Sequence, residues 1–472
     1  MTLPMEMRHL LPKSACIAAL VTSTALTAQS LPDDPVIDLR AGTQVRAMGN
    51  GTNFDAHPPF LSEDQAARSF ADFRLRGWIN VGEQRLGGYG AYAQVQIGSL
   101  ALGDDREFGK THGTPGDAIG TELRRGFLWL MPDEDTILKL GVQGWHDAFG
   151  ERPSENFADE LWAVDDYDSM RAPLANSVWD FNLGGVSLAG NGQEWDYRLG
   201  AFLLSDGNNT FSGHGGSVLA TGDLDLERSG SRWGASLYYL RDNGDYSYGT
   251  FGGPGAVYDS SEDLWFGVRG HLGEADHWGS FFLIYNQGRT NGPDWNHRGV
   301  AARIATGFDA LSGRAEIQGL FATGDDGSSA TRSNEFRTIA QSARDDFGAQ
   351  GYWSLLGLTS PRGSSDGADL GVSLQNQGYG LATIQASWAR SLTERVDGVL
   401  AAGWLQSAEP HASNGSRDLG FEVLGEVNWR LRDHLQLDFG LAYLFTGDFY
   451  RAAAGGSPEN LYEVFLRVQF EF

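Results

Sequence analysis

Cysteine and long apolar runs are both nearly missing from this chain of 472 residues. The single cysteine, Cys16, lies near the N-terminus, so the rest of the chain has neither a disulfide nor a thiol nucleophile. No stretch of about 18 consecutive apolar residues occurs, which excludes helical membrane spans. A soluble chain of this length would form two or three domains, whereas a membrane protein with this sequence would have to cross with strands.

Basic charge is scarce as well. Lys and Arg total 35 against 61 Asp and Glu, which gives a formal net charge of −26. This sign opposes nucleic-acid binding, because such binding depends on neutralising phosphates with Lys and Arg. What the chain does have is 64 glycines, 14 tryptophans and 12% aromatic residues. Glycine suits turns and close strand contacts, and aromatic residues form interfacial girdles, so the composition is typical of a transmembrane barrel, although a large soluble β-protein can share it.

Residues 1–30 have the pattern of a secretory signal peptide. Arg8 and Lys13 supply the positive charge, and a short apolar stretch ends in small residues suited to cleavage. Cys16 comes before the apolar stretch is complete, which argues against a lipoprotein. The predicted organisation is therefore a signal peptide over 1–30 followed by one transmembrane β-barrel over 31–472.

Downstream of the leader, segments of strand length alternate between apolar and polar residues. Neighbouring residues of a strand point to opposite faces, so this alternation predicts one apolar and one polar surface. In 70–84, for example, the two sets are Phe73, Leu75, Ile79 and Val81 against Asp72, Arg74, Arg76 and Asn80. Alternation over most of a long chain favours a barrel that faces lipid.

Connections between the segments alternate between short and long. The long ones are predicted at 103–120, 145–177, 243–261, 289–297, 407–417 and 447–459. This parity indicates a first strand at 36–48, a long outer loop at 325–366 and one long strand at 369–390. The predicted fold class is an all-β, transmembrane antiparallel β-barrel of about 18 strands (16–18), with long extracellular loops and short periplasmic turns. We expect the loop segments 147–176 and 325–366 to constrict the pore.

The last segment, Tyr462–Phe472, alternates aromatic and apolar residues on one face. It resembles the C-terminal strand of outer-membrane proteins, in which the terminal aromatic helps the barrel-assembly machinery to recognise the chain. The resemblance implies a Gram-negative outer-membrane location, with lipid and lipopolysaccharide around the barrel and Phe472 as part of the assembly signal.

If the apolar face meets lipid, the polar face lines the pore. Arginine rings give pores a preference for anions, and the guanidinium fork suits carboxylates. Inward acids accompany the arginines, so the alternative is that both form ion pairs that brace the wall. The predicted substrate-binding residues are Arg74, Arg76, Arg198, Arg269, Arg303, Arg314, Arg430 and Arg467.

The segment 418–423 (Asp-Leu-Gly-Phe-Glu-Val) resembles the entry into a late strand of the alginate-export porin family. Phe445-Thr446-Gly447-Asp448-Phe449 and the following Glu459-Asn460-Leu461-Tyr462 are similar to that family's last outer loop and final strand. The match covers about the last 60 residues. It implies an anionic polysaccharide as solute, selected by lumen arginines for which Arg430 and Arg467 are the closest candidates in this sequence.

One motif suggests an enzyme. His411-Ala412-Ser413-Asn414-Gly415 resembles the His-x-Ser-Asn-Gly motif of outer-membrane phospholipases, in which the His is a general base for the Ser. The third member of such a triad would have to be Asn428 or Asp438. The alternative is a polar loop that happens to contain His and Ser.

The histidine spacing contains no zinc pattern, and we expect no cofactor, no metal and no bond-breaking step. The predicted function is a monomeric channel for passive transport of polar, anionic solutes, with uronate-containing saccharides as the suggested class. The alternatives are a non-selective general diffusion porin, a lipid hydrolase using His411 and Ser413, and an adhesin-like barrel.

Overall fold

The computed structural model describes most of the wall and part of the loops. The described residues are 37–53, 68–83, 88–103, 121–133, 135–150, 172–175, 182–192, 194–204, 217–242, 246–248, 256–258, 260–274, 276–291, 295–329, 331–339, 354–358, 372–451 and 454–471. The predicted signal peptide and Phe472 lie outside these ranges.

The wall is a closed antiparallel barrel of 18 strands, which confirms the predicted fold class and strand number. Its strands are β1 (Asp38–Thr52), β2 (Arg68–Gly82), β3 (Tyr89–Gly103), β4 (Thr121–Asp133), β5 (Thr136–Gly144), β6 (Asn182–Asn191), β7 (Trp195–Leu204), β8 (Ser217–Arg228), β9 (Ser231–Asp242), β10 (Ser260–Glu274), β11 (His277–Asn291), β12 (Trp295–Ala310), β13 (Gly313–Ala322), β14 (Leu381–Thr393), β15 (Val396–Gln406), β16 (Asp418–Arg432), β17 (Leu435–Thr446) and β18 (Leu461–Glu471).

The barrel closes between its first and last strands. Gln44 of β1 is the partner of Glu471 of β18, and the pairing continues to Thr52 and Glu463. Because each strand also pairs with the next along the chain, the wall strands follow one another around the barrel in sequence order.

Alternation places apolar side chains outside and polar side chains inside. In β2, Phe73, Ile79 and Val81 are exposed on the outer face, whereas Arg76 and Asn80 are buried on the inner face. The same order repeats around the wall, where exposed leucine, isoleucine, phenylalanine and tryptophan cover the outside. This apolar exterior is the surface that a barrel presents to lipid.

Long and short connections alternate around the barrel, with one exception. The turns 229–230, 311–312, 394–395 and 433–434 lie at one end, which we call the short-turn end. The connections 145–181, 323–380 and 407–417 lie at the other, the long-loop end. The predicted long loop at 289–297 is wrong, because β11 extends to Asn291 and β12 begins at Trp295.

The predicted long strand at 369–390 is also too long at its N-terminal side. β14 begins only at Leu381. Asn376, Gly378 and Gly380 have φ angles of 43°, 92° and 66°, which turn the chain out of the extended conformation just before β14. Val372 and Leu374 are consequently buried inside the barrel and not on the lipid face.

Two stretches of chain fold into the barrel from the long-loop end. The first infolded segment comprises 145–150 and 172–175, and the second comprises 323–329, 331–339, 354–358 and 372–380. Their apolar side chains, such as Phe149, Phe336 and Leu356, join inward wall residues in one buried cluster. Phe157, Trp162 and Tyr167 belong to the segment 147–176, which the sequence predicts to constrict the pore, and they lie outside the described residues. Among the residues described, no helix is long and apolar enough to cross a membrane.

Candidate functional site

All eight arginines predicted to line the pore lie at inward-facing positions of the wall. Arg74, Arg76, Arg269 and Arg303 are buried there, whereas Arg314 and Arg430 are exposed towards the short-turn end. The structure does not bring the eight together in one site. It distributes them over three arcs of the inner wall, described below, and over β12 and β13, with different partners in each place.

The basic arc covers the inner face of β1 to β5. Its cationic residues are Arg40, Arg46, Arg74, Arg76, Arg124, Arg125 and Lys139. Arg46 and Arg74 are direct cross-strand partners. Nε of Arg76 donates to Oε1 of Gln96 at 2.6 Å, and an amino group of Arg74 donates to Oε1 of Gln44 at 3.1 Å. These amides orient the guanidinium groups, and the arc carries more cationic than acidic positions.

Arg124 and Arg125 belong to the basic arc because of a β-bulge, and sequence reasoning missed them. The register between β3 and β4 shifts so that Gln94 faces Arg125 while Val95 faces Leu123. Arg124 is the extra residue, and both arginines are buried inside. Strict alternation would turn one of them towards lipid, at a cost of about 2–4 kcal/mol at the bilayer midplane. Two adjacent arginines within a strand segment were the signal available in the sequence.

The braced arc covers β7 to β10, where arginines alternate with aspartates. Nε of Arg198 lies 3.1 Å from Asp223, and Arg269 makes a bidentate pair with Asp225 at 3.1 and 2.5 Å. Arg232 lies 3.1 Å from Asp196. These arginines match the alternative in which inward charges brace the wall.

The remaining predicted arginines have mixed partners. Arg303 donates to Gln318 at 2.7 Å and to Ser280 at 3.2 Å, and lies 3.5 Å from Glu316. Arg314 lies over the ring of Trp278, with 5.8 Å between the guanidinium carbon and the ring centroid.

The alginate-export resemblance names Arg430 and Arg467. They lie on different strands, β16 and β18, and have different partners. Arg430 donates to the carbonyl of Glu394 at 3.2 Å in a neighbouring short turn. Arg467 is paired with Asp438 at 2.8 Å.

The acidic arc covers β16 to β18 and lies next to the basic arc, because β18 pairs with β1. Glu422, Glu426, Asp438 and Glu463 are buried on its inner face. Glu422 fixes the second infolded segment: its carboxylate accepts from Ser354 Oγ at 2.6 Å and from the backbone amides of residues 355, 356 and 357 at 2.8, 3.2 and 3.0 Å. The sequence predicts inward acids beside the arginines, but no local pattern marks Glu422 as an anchor for a distant segment.

The second infolded segment has another anchor on β10. Asp263 bonds Asn286 of the neighbouring β11 and His297 of β12, and Arg337 of the segment lies 3.4 Å from it. The indole of Trp265 donates to the carbonyl of Arg337 at 2.7 Å. Buried charge is therefore used here to attach a loop to the wall.

The two ends of the first infolded segment are joined through Asp147, a fully buried residue that sequence reasoning did not single out. Its two oxygens accept from the amides of Phe149, Leu174 and Ala175 at 2.9, 2.6 and 2.9 Å. Burial raises the pKa of Asp147 to about 7, although the three amide donors act in the opposite direction.

An aromatic row lies on the basic arc towards the short-turn end. The rings of Trp78 and Tyr92 stack with centroids 6.2 Å apart, and those of Tyr92 and Phe127 with centroids 4.9 Å apart. Nζ of Lys139 is 5.6 Å from the centroid of Phe127. The inner wall thus combines ring faces and cations on the same strands.

The His411 and Ser413 pair lies in the loop 407–417. Nδ1 of His411 and Oγ of Ser413 are 2.8 Å apart. The imidazole is packed between Tyr379 and Phe449, and burial lowers its pKa. Within the described part of the chain no carboxylate or amide bonds the other ring nitrogen.

The third members suggested by the sequence do not reach this pair. Asn428 of β16 is paired with Asp438 of β17. Both lie about ten residues along the strands from the loop 407–417, which corresponds to about 30 Å at the rise of a β-strand. Asp438 is bonded to Arg467. Among the described residues, no group of His, Cys, Asp and Glu has the arrangement of a metal site.

The barrel as a whole is similar to solved outer-membrane channels from two bacteria. Acinetobacter baumannii OccAB4 gives a TM-score of 0.54 at 11% identity over 92% of this chain and 98% of its own. Pseudomonas aeruginosa OpdQ gives 0.54 at 11% identity over 92% and 99%. The fold is that of an outer-membrane porin.

A third porin of the same fold, Pseudomonas aeruginosa OpdK, was solved with vanillate and gives a TM-score of 0.52 at 11% identity over 92% and 98%. The likeness covers the whole wall of the porin and concerns its fold. By sequence, the chain matches no protein-family model and no curated protein.

Proposed function

We propose that the chain is a passive channel in the outer membrane with a preference for small anionic solutes, above all carboxylates. The observation that carries this proposal is the basic arc, where seven cationic residues with described side chains share the inner face of β1 to β5. Inward guanidinium groups concentrate anions, and their planar fork matches a carboxylate. The braced arc gives less support, because its arginines are already paired with aspartates.

We further propose ring-bearing carboxylates as the solute class, with uronate-containing saccharides retained from the sequence. The aromatic row lies on the same strands as Arg76 and Arg125, so one solute could place a ring against Trp78, the partly exposed member of the row, and a carboxylate near the cations. The porin OpdK, which has this fold, was solved with vanillate, a ring-bearing carboxylate.

The test is the reversal potential of the protein in a planar bilayer under a salt gradient. We expect anion-selective current that oligouronates block and that Arg76→Ala and Arg125→Ala weaken. Arg417→Ala is the matched control, because Arg417 lies exposed on an outer loop and pairs with Glu409 at 3.2 Å. Cation-selective current, or equal losses in all three variants, would contradict the proposal. An unselective current would indicate a general diffusion pore.

Lipid hydrolysis is the second candidate, favoured by the 2.8 Å contact between His411 and Ser413. Ser413 is exposed on a loop turn, and its contact with His411 spans only two residues, as in many polar turns. We expect no release of fatty acid from phospholipid vesicles by the folded protein. Turnover that disappears in Ser413→Ala and persists in Ser416→Ala would establish the hydrolase instead.

A further inference from the structure

One buried carboxyl group, that of Asp147, ties together the two ends of the first infolded segment. We propose that Asp147 is the positioning residue that fixes this segment against the inner wall and so sets the aperture of the pore. The proposal rests on the proposed channel function, since an aperture matters only to a protein that conducts solutes.

Asp147 joins the two ends of a long connection. Phe149, which donates to Oδ1 at 2.9 Å, precedes residues 151–171. Leu174 and Ala175, which donate to Oδ2 at 2.6 and 2.9 Å, follow them. The amide of Asp147 also donates to the carbonyl of Ala175 at 3.3 Å. One side chain therefore closes the base of the whole loop.

The closed base is docked onto two wall strands by hydrogen bonds. The hydroxyl of Tyr238 on β9 accepts from the amide of Ala148 at 3.1 Å. Arg198 on β7 donates to the carbonyl of His146 at 2.7 Å. Both bonds go to backbone groups adjacent to Asp147, so their geometry depends on the turn that its carboxyl group maintains.

Ring packing completes the docking. Phe149 meets Tyr238 and Phe282 edge to face, with centroids 6.1 and 5.9 Å away. Its ring lies directly on Gly267 of β10, where a Cβ atom would overlap it. The segment therefore lies as close to the wall as the backbone permits, and its release would move buried rings away from β10.

Only a carboxyl group satisfies this arrangement. Three amide donors converge on two oxygens, and each oxygen of a carboxyl group can accept. An asparagine has one acceptor oxygen, and its NH₂ group would face an N–H donor. Asp147→Asn should thus keep part of the docking, and Asp147→Ala should leave three buried donors without partners.

Thiol accessibility tests the proposal without any current. In a Cys16→Ser background, Ala172→Cys places a reporter at a fully buried position of the segment. With a charged, membrane-impermeant maleimide we expect slow labelling when Asp147 is present. Asp147→Ala should accelerate labelling at least about tenfold, with Asp147→Asn intermediate. Asp433→Ala, which removes an exposed acid in a short turn, should leave the rate unchanged.

Single-channel conductance is the second measurement. We expect higher conductance in Asp147→Ala than in wild type, with the barrel still folded by its heat-dependent migration on a denaturing gel. Unchanged labelling and unchanged conductance in a folded Asp147→Ala protein would overturn the role of Asp147. A wild-type protein that does not conduct would instead contradict the proposed function, and the labelling result would still decide whether Asp147 holds the segment.

Discussion

At the scale of single residues, buried carboxylates anchor infolded segments, a role that the alternating pattern does not reveal. Asp147, Asp263 and Glu422 each accept hydrogen bonds from a chain segment that folds into the barrel. An inward acid in a strand pattern looks the same whether it braces an arginine or anchors a loop. Its partner decides the role, and the partner is far away in sequence.

Asp147 makes the docking of its segment depend on pH. Burial raises its pKa to about 7, from 3.8 for a solvated carboxyl group. Among the charged and titratable groups of the wall, Asp223 and Tyr238 interact with it electrostatically, Arg198 bonds the adjacent carbonyl of His146, and Arg269 lies over the ring of Phe149. Because the docked form binds its proton more tightly, docking is strongest below about pH 4 and weakens as the pH rises through 7.

We therefore expect conductance to increase between about pH 6 and pH 8, as the proton leaves Asp147. Asp147→Asn should remove this rise, because an amide does not titrate. Single-channel recordings across the range, with equal pH on both sides, provide the measurement. A rise of the same size in Asp147→Asn would assign the pH dependence to another group.

Glu422 offers a second residue-scale prediction. Glu422→Ala leaves the hydroxyl of Ser354 and three backbone amides without their acceptor, at about 1–3 kcal/mol for each donor that stays buried. We expect the turn 354–358 to undock and hydrogen exchange of its amides to accelerate. Val423→Ala, on the lipid face of the same strand, should leave this exchange unchanged.

At the scale of elements, the second infolded segment depends on a missing side chain in β12. Arg332 and Ser333 pair in parallel with Asn296 and His297. A Cβ atom at Gly299 would overlap the backbone of residues 335 and 336. The segment can lie against β12 only while this position is glycine.

Gly299→Val should displace the segment and raise conductance while the barrel remains closed. Gly279→Val is the control, since a Cβ at that outward position meets nothing closer than 3.8 Å. Single-channel conductance of the two variants, compared with that of the wild type, provides the measurement. An unchanged current in Gly299→Val would show that the segment does not narrow the path.

Strands and infolded segments differ in how far the sequence predicts them. The period of two in β2 and β17 is a local property, so their faces could be assigned from adjacent residues. The docking of Leu355 onto Glu422 joins residues 67 positions apart, which no local pattern encodes. The bulge at Arg124 is an intermediate case, because a pair of basic residues broke the alternation visibly.

At the scale of the whole molecule, the apolar exterior is what makes the barrel a membrane structure. Ile304, near the middle of β12, has 70% of its surface exposed on the outer face. Ile304→Arg should destabilise the barrel by about 2–4 kcal/mol in lipid vesicles, as a charge near the bilayer midplane does. Leu311→Arg, in the turn 311–312, should cost about 0–1 kcal/mol. Urea titration in vesicles measures both, and equal costs would contradict the assignment of the lipid-facing band.

The seam between β1 and β18 has a consequence for how the molecule forms. Gln44 and Glu471 are hydrogen-bonded at 2.8 Å and are 427 positions apart in the sequence. The barrel therefore cannot close until nearly the whole chain is present at the site of assembly. Until then the growing sheet is a ribbon with two unpaired edges, each able to recruit the wrong strand. Removal of β18 would not produce a narrower tube, because β17 would have to find a new register against β1. We therefore expect the pairing of β18 with β1 to be a late and slow step of assembly, because it joins the strands that are farthest apart in the chain.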